Sequence, residues 1–442
     1  MPAWRRGGAR HDRMSSLSPR TSMAPGTSRL AASRDIPEEV ICYTIFSRLP
    51  FKLVTCLKTL SKHCYRQLTS DTTFAAEQAR LCPSCPALIH IGLPAKPKGP
   101  CRYSLDVLSL TPAIVGVPSP GLDFLGCAID DGNLDLLSSS NGLLCIRYTP
   151  YRISHPTPPH AILIANPATQ QAQPIPGAAQ HLDKSRAVGV GLVFNPSDGS
   201  SAYAHSKFMV VQASPSEFTT DTSVEFHFVI FCSDTGRWTM PDTTVTANIA
   251  PICNKVVYSG GVLYWDYQQH LLWFDVTRSA AGVIEMPGKL QGSTFDERDR
   301  HNIDASNNGT LMCTTIGKDG LSMYHLVKRG DDAHCWELKH KKGWKDIVEK
   351  SGDAFQFCCH SMKLRNGWQS KFYERWFVRP LGVESGRWVY LGVRQRWKTS
   401  DRVLRYDMDT GKVDDTGKEL GNAFDMGPVF GYRNSMAALP PI

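Results

Sequence analysis

The feature that most constrains this chain is a long series of short apolar segments, fairly evenly spaced, that fills nearly everything after Cys82-Pro83. Gly142 to Tyr148, Ala161 to Ala165, Val188 to Phe194, Phe208 to Val211, Val224 to Phe231, Val256 to Trp265, Leu271 to Val276, Leu321 to Val327, Phe372 to Val378, Trp388 to Val393 and Val403 to Asp407 are rich in branched and aromatic residues, with turn residues between them. That is the punctuation of strands. Only Trp344 to Glu349 reads as a short helix, and no long amphipathic helix interrupts the series. A chain built this way has three solutions: a sandwich, a barrel or a propeller.

A recurring turn chooses among them. Ser233-Asp234-Thr235-Gly236, Asp275-Val276-Thr277-Arg278 and Asp407-Met408-Asp409-Thr410-Gly411 each place an acid or hydroxyl at a strand end before a Thr-Gly or Thr-Arg corner. Asp accepts backbone N–H bonds in such a turn, and Gly supplies the positive φ. Thr235 and Thr277 lie 42 residues apart, the length of one four-stranded propeller blade. Thr277 and Thr410 lie 133 apart, read as roughly three such units. Asn166-Pro167-Ala168-Thr169 looks like an earlier member, but its 66-residue distance from Thr235 is not a whole number of units. That mismatch implies an insertion around Pro174 to Arg186 or Pro215 to Asp221. The expected fold is mainly β, with a β-propeller of about six to eight blades over residues 136–436. Residues 82–135 are expected to form a linker and the first propeller strands.

The front of the chain has a different character. Residues 1–34 mix Gly, Ser, Pro and Arg without periodicity. The Arg- and Ser-rich, acid-poor composition admits a transit peptide, but no amphipathic helical period is visible, so a disordered leader is the preferred reading. From 35 to 81 apolar residues return at helical spacing. Pro37 suits a first helical turn, and Val40, Ile41, Ile45 and Phe46 share one face until Leu49-Pro50 stops the helix. Leu53, Val54, Leu57 and Leu60 form a second set, and Tyr65, Leu68 and Phe74 a third. The expectation is a small all-α, three-helix module, too small to be very stable unless packed against a partner or the next domain.

These residues resemble a known family. Ile36-Pro37-Glu38-Glu39-Val40-Ile41, Ile45-Phe46-Ser47-Arg48-Leu49-Pro50, Leu60-Ser61-Lys62 and Leu68-Thr69-Ser70-Asp71-Thr72-Thr73-Phe74 resemble the F-box motif of the large plant families. Further on, Ser139-Ser140-Asn141-Gly142-Leu143-Leu144-Cys145, Ala165-Asn166-Pro167-Ala168-Thr169, Gly189 to Pro196, Gly260 to Trp265 and Leu272 to Asp275 resemble the plant F-box-associated β-propeller. The resemblance implies a non-catalytic substrate-recognition subunit of an SCF-type cullin–RING ubiquitin ligase. Its helices would bind a Skp-family adaptor, and through it a cullin, while its propeller would hold a protein substrate of unknown identity. Ile36, Pro37, Val40, Ile41, Ile45, Leu49, Pro50, Val54, Leu57, Leu60 and Tyr65 are the candidate adaptor-binding residues, some of which must instead form the internal core. One departure stands out: the family's Trp falls at Cys64 when counted from Leu49-Pro50, and at Tyr65 when counted back from Ser70-Asp71. Tyr65 would keep an aromatic anchor, whereas Cys64 would forfeit about 1–3 kcal/mol of buried area and weaken adaptor binding. The alternatives are an adaptor-independent interaction scaffold with a degenerate motif and a propeller enzyme with a fused helical unit.

Other signals are weaker. The net charge of +8 mildly favours an anionic partner surface but is no nucleic-acid footprint. No apolar run is long enough for a secretory or membrane segment, so no membrane partner is expected and the 14 cysteines read as reduced thiols of the cytoplasm and/or nucleus. Cys82-Pro83-Ser84-Cys85 lacks a second pair at zinc spacing; Cys101 is near and Cys358-Cys359-His360 distant, so two linker thiols is the plainer reading and no metal or other cofactor is expected. Gly189-Val190-Gly191 is followed by Phe194 where a dinucleotide fingerprint needs Gly. Lys339, Lys341, Lys342 and Lys345 beside Trp336 and Trp344 read as a solvated loop, with capture of an acidic degron as the sharper alternative.

Overall fold

A computed structural model describes residues 36–37, 40–81, 87–92, 103–112, 115–126, 132–150, 161–181, 189–194, 207–216, 223–249, 253–267, 269–287, 301–306, 308–317, 320–329, 333–351, 376–395, 400–422 and 427–439. The expected leader at 1–34 and the Cys82-Pro83-Ser84-Cys85, Cys101 and Cys358-Cys359-His360 groups lie outside these residues.

The strands form six antiparallel sheets, five of which follow one another along the chain. Blade 1 is β3 (Gly132–Ser140), β4 (Leu143–Pro150), β5 (Ala161–Asn166) and β6 (Gln171–Pro174). Blade 2 is β7 (Val190–Phe194), β8 (Phe208–Pro215), β9 (Val224–Cys232) and β10 (Arg237–Thr239), with β11 (Thr244–Ala247) also paired to β9. Blade 3 is β12 (Lys255–Ser259), β13 (Val262–Asp266), β14 (His270–Asp275) and β15 (Ala280–Glu285). Blade 4 is β16 (His301–Ala305), β17 (Leu311–Gly317), β18 (Gly320–Arg329) and β19 (Ala333–Gly343). Blade 5 is β20 (Trp376–Glu384), β21 (Trp388–Gln395), β22 (Ser400–Asp407) and β23 (Val413–Asn422). Blade 6 is composite: β1 (Ala87–Gly92) and β2 (Ser104–Leu108) from the front of the chain pair with β24 (Phe430–Tyr432) from its far end, Ala87 facing Tyr432 and Ile89 facing Phe430. The innermost strands β3, β7, β12, β16, β20 and β24 adjoin in a closed ring. The fold is a six-bladed β-propeller.

Side chains on successive strand residues point to opposite faces, so each blade feeds two seams. Leu144 and Ile146 pack toward blade 6, whereas Leu143 and Cys145, which alternate with them, pack toward blade 2. Among the described residues, six of the seven apolar clusters are seams between neighbouring blades. Polar clips cross the same seams. Ser140 Oγ bonds the backbone of Phe194, Trp265 Nε1 donates to Gly189 O at 3.0 Å, and Leu110 N donates to the Glu384 carboxylate at 3.1 Å. Gly189 and Gly191 are there for packing: a Cβ on either would stand 2.5–2.6 Å from Cys253 Sγ or Leu263 Cδ2.

Several expectations change. The recurring turn is the corner between the third and fourth strands of blades 1, 2, 3 and 5, where Asp275 Oδ1 accepts from Thr277 N at 2.9 Å and Arg278 N at 3.0 Å. Its spacing misleads, because Thr277 and Thr410 are two blades apart, not three, and Asn166 and Thr235 are only one apart. Blades 4 and 5 have strands of up to 11 residues, and the connections vary in length. Val256 to Trp265 is two strands, because Gly260 and Gly261 turn the chain at φ +58 and +89. The lysine-rich stretch is not a loop: Lys339, Lys341 and Lys342 lie on the outermost strand of blade 4, and Lys345 on the helix Trp344–Lys350 that follows. Lys339 occupies a bulge in that edge strand, since Leu338 and His340 face the consecutive residues Tyr324 and Met323.

Candidate functional site

Ahead of the ring sits the helical region. It opens with two tight turns, Ile41–Ile45 of π type and Phe46–Arg48 of 3₁₀ type, where one continuous helix was expected. Leu49 is extended before Pro50, as the residue before proline must be, and α1 (Phe51–Leu57) starts there. α2 (Lys62–Ser70) begins on Ser61, whose Oγ accepts from Cys64 N at 3.0 Å. Asp71, extended in backbone, ends α2 and caps α3 (Thr72–Leu81) by accepting from Thr73 N at 2.9 Å and Phe74 N at 3.1 Å. The third expected helix is therefore two. The other oxygen of Asp71 accepts from Tyr43 Oη, a bond that pushes the phenol up to about 12 and ties the opening turns to α3.

Phe51, Val54, Leu68 and Phe74 are buried together with Ala168 and Met436 of the propeller side, so the helices rest on blade 1 and on the segment after β24. This sorts the candidate residues. Val54 is core, and Ile41, Leu49, Pro50 and Leu57 are half-buried. Ile36, Pro37, Val40, Ile45, Leu60 and Tyr65 are exposed, Leu60 at 67% and Tyr65 at 56%. Leu53 is exposed beside them at 47%, and was not among the candidates. Its helical spacing matched the buried Val54 and Leu57 equally well, so periodicity alone could not separate it. The two positions counted for the family's Trp differ in direction: Cys64 packs against the helical core, whereas Tyr65 faces solvent. Arg48, Lys62, His63 and Arg66, close to these residues in sequence, are exposed as well.

The propeller axis holds a cavity of about 150 Å³, lined among others by Ser139, Asn141, Lys255, Asp304, Ser385 and Arg433. Its charged wall is internally satisfied. Lys255 Nζ donates to Asp304 Oδ1 at 2.7 Å and Asn302 Oδ1 at 3.0 Å, while Asp304 Oδ2 accepts from Asn302 Nδ2 and from Val383 N. Burial still raises the Asp304 carboxyl above its ordinary range. Behind it Asp266 meets the imidazole of His301 at 2.8 Å, both groups buried. The nearby Cys313 thiol is a poor nucleophile, since burial pushes it well up. These groups clip blades 3, 4 and 5 together. Among the described residues, no cluster of three or more His, Cys, Asp or Glu could hold a metal ion, and no helix is long and apolar enough to cross a membrane.

The fold and its helical appendage define a propeller protein with an apolar helical surface. Residues 124–361, more than half of the chain, match the family described as F-box protein At3g26010-like, beta-propeller, and the chain belongs to that family. Among solved structures it is similar to the periplasmic gluconolactonase PpgL of Pseudomonas aeruginosa, at 11% identity and a TM-score of 0.35 over 79% of this chain and 99% of that one. A putative 6-phosphogluconolactonase from Bacteroides uniformis gives 11% identity and a TM-score of 0.32 with the same coverage. The extracellular domain of BT4673 from B. thetaiotaomicron gives 11% identity and a TM-score of 0.29 over 67% of this chain, which spans 29% of that structure's length. A comparison with curated proteins found no match.

Proposed function

We propose that this protein is the substrate-recognition subunit of an SCF-type ubiquitin ligase, with residues 36–81 acting as an F-box. The observation that carries the reading is the exposed set Ile36, Val40, Ile45, Leu53, Leu60 and Tyr65 on a helical unit fixed to a propeller of an F-box protein family. Large apolar side chains left in water on a small helical unit suit a partner groove. The partner is a Skp-family adaptor, and a cullin beyond it. The propeller's role is protein interaction: it presents a protein substrate and does no bond chemistry. Ubiquitin transfer then follows from proximity, with a substrate lysine held near the charged enzyme. Such a subunit works in the cytoplasm and/or nucleus.

Co-purification of the full chain with a Skp-family adaptor tests the reading. Ile45→Asp and Leu60→Asp, both at exposed positions, should each weaken binding at least tenfold and leave the thermal midpoint unchanged. Failure of the unaltered chain to bind at micromolar concentrations overturns the proposal. It would favour an adaptor-independent interaction scaffold, for which the inward-facing Cys64, at one of the two positions counted for the family's Trp, is the motivating observation.

A further inference from the structure

The ring closes at Tyr432, but the chain runs on through Arg433 to Leu439 as a segment that is neither helix nor strand. Ser435, Met436 and Ala437 in its middle are at most 5% exposed. An irregular segment is buried only if its backbone groups find partners, and here side chains supply them. Asn166 Nδ2 donates to Ser435 O at 3.0 Å and to Ala437 O at 2.9 Å, while Asn166 Oδ1 accepts from Ala168 N at 3.0 Å and holds the blade 1 corner. Asn434 bonds both backbone polar groups of one residue in the 115–126 segment: its Oδ1 accepts from Gly116 N at 3.0 Å and its Nδ2 donates to Gly116 O at 2.7 Å. The approach depends on Gly142, whose φ is +97 and where a Cβ would stand 2.5 Å from Ser435 Cβ.

Three consecutive residues then engage three different parts of the molecule. Ser435 binds the blade 1 corner through Asn166, Met436 enters the helical core with Phe51, Val54, Leu68 and Phe74, and Ala437 enters the seam between blades 1 and 2. Because β24 immediately precedes this segment, the strand that completes blade 6 also delivers Met436 to the helices. A second tie is made from the helical side, where Lys52 Nζ donates to Pro112 O close to Gly116.

We propose that residues 433–439 are a strap that couples closure of the propeller ring to seating of the helical module, and so gives the module one fixed orientation on the propeller. The strap, and not a flexible tether, sets the direction in which the helical surface faces relative to the blades. The inference goes beyond the receptor reading and does not depend on it.

Hydrogen exchange of the full chain, measured by mass spectrometry without any adaptor, tests the strap. Asn166→Ala removes both carbonyl bonds, and Met436→Ala removes the side chain shared with the helices. Each should speed exchange in α1–α3 at least tenfold and leave Val262–Asp275 of blade 3 unchanged, and Met436→Leu should restore protection. Unchanged exchange in the helices of both alanine variants overturns the proposal. So does equal acceleration in blade 3 and in the helices, which would mean general destabilisation.

Discussion

His90 offers a sharp test of how the composite blade is held. It lies on β1, on the same strand face as Leu88, in the seam with blade 5, and it is fully buried. Neither ring nitrogen has a hydrogen-bond partner among the described residues. Burial, with the Arg379 cation across the seam adding to it, holds the imidazole pKa down at about 3, against 6.5 for the free group. Asp106 is its cross-strand partner, and burial raises that carboxyl. The sign of the linkage follows directly. Between pH 6.5 and 3 the unfolded chain takes up a proton that folded His90 refuses, so His90 favours unfolding as the pH falls. The penalty is absent above pH 6.5, amounts to about 2 kcal/mol at pH 5 and approaches about 5 kcal/mol near pH 3. His90→Leu keeps the volume and removes the titration. Urea unfolding followed by tryptophan emission at pH 7.5 and pH 5 should show the unaltered protein losing about 2 kcal/mol more than the variant across that interval. Asp106 titrates in both proteins, so the difference isolates the imidazole. Identical pH dependence in the two would refute the reasoning and mean that His90 finds a partner or water in solution.

Three further outcomes follow from the blades. Lys255→Met leaves Asp304 buried without its cation and should cost about 3–5 kcal/mol, read as a lower urea midpoint. Gly191→Ala forces a Cβ to within 2.6 Å of Leu263 Cδ2 in the seam between blades 2 and 3, and should cost about 1–3 kcal/mol, seen as a drop in Tm. Asp275→Ala strips two backbone N–H bonds from an exposed corner and should cost only about 1 kcal/mol by the same measurement.

The sequence carried the class of fold well and its arithmetic poorly. Corners such as Asp275-Val276-Thr277-Arg278 were legible because local chemistry makes them: an aspartate that caps its own turn does so wherever the blade sits. Blade count was not, because strand length is set by packing in the seams, and blades 4 and 5 are longer than blade 3. The closing strand gave no signal, since its three residues, Phe430–Tyr432, alternate buried, exposed, buried but are too few to set a period. In the helical module the apolar positions were visible but their direction was not. Leu53 and Val54 are adjacent and alike, and only the tertiary packing on Ala168 and Met436 buries one and exposes the other. The Lys255–Asp304 pair, 49 positions apart in sequence, was likewise invisible until the blades brought the two together.

The composite blade has a consequence for how the protein is made. As the chain leaves the ribosome, blades 1 to 5 can each complete themselves from local strands, hairpin by hairpin. β1 and β2 emerge before any of them, yet they wait with an open edge until Phe430–Tyr432 arrives. Throughout that interval Leu88, Leu108 and the blade 5 residues they will cover lack a completed seam. Each molecule therefore passes through a stage in translation with an open strand edge and an uncovered apolar seam, and a chain that stops before Phe430 leaves blade 6 without its innermost strand.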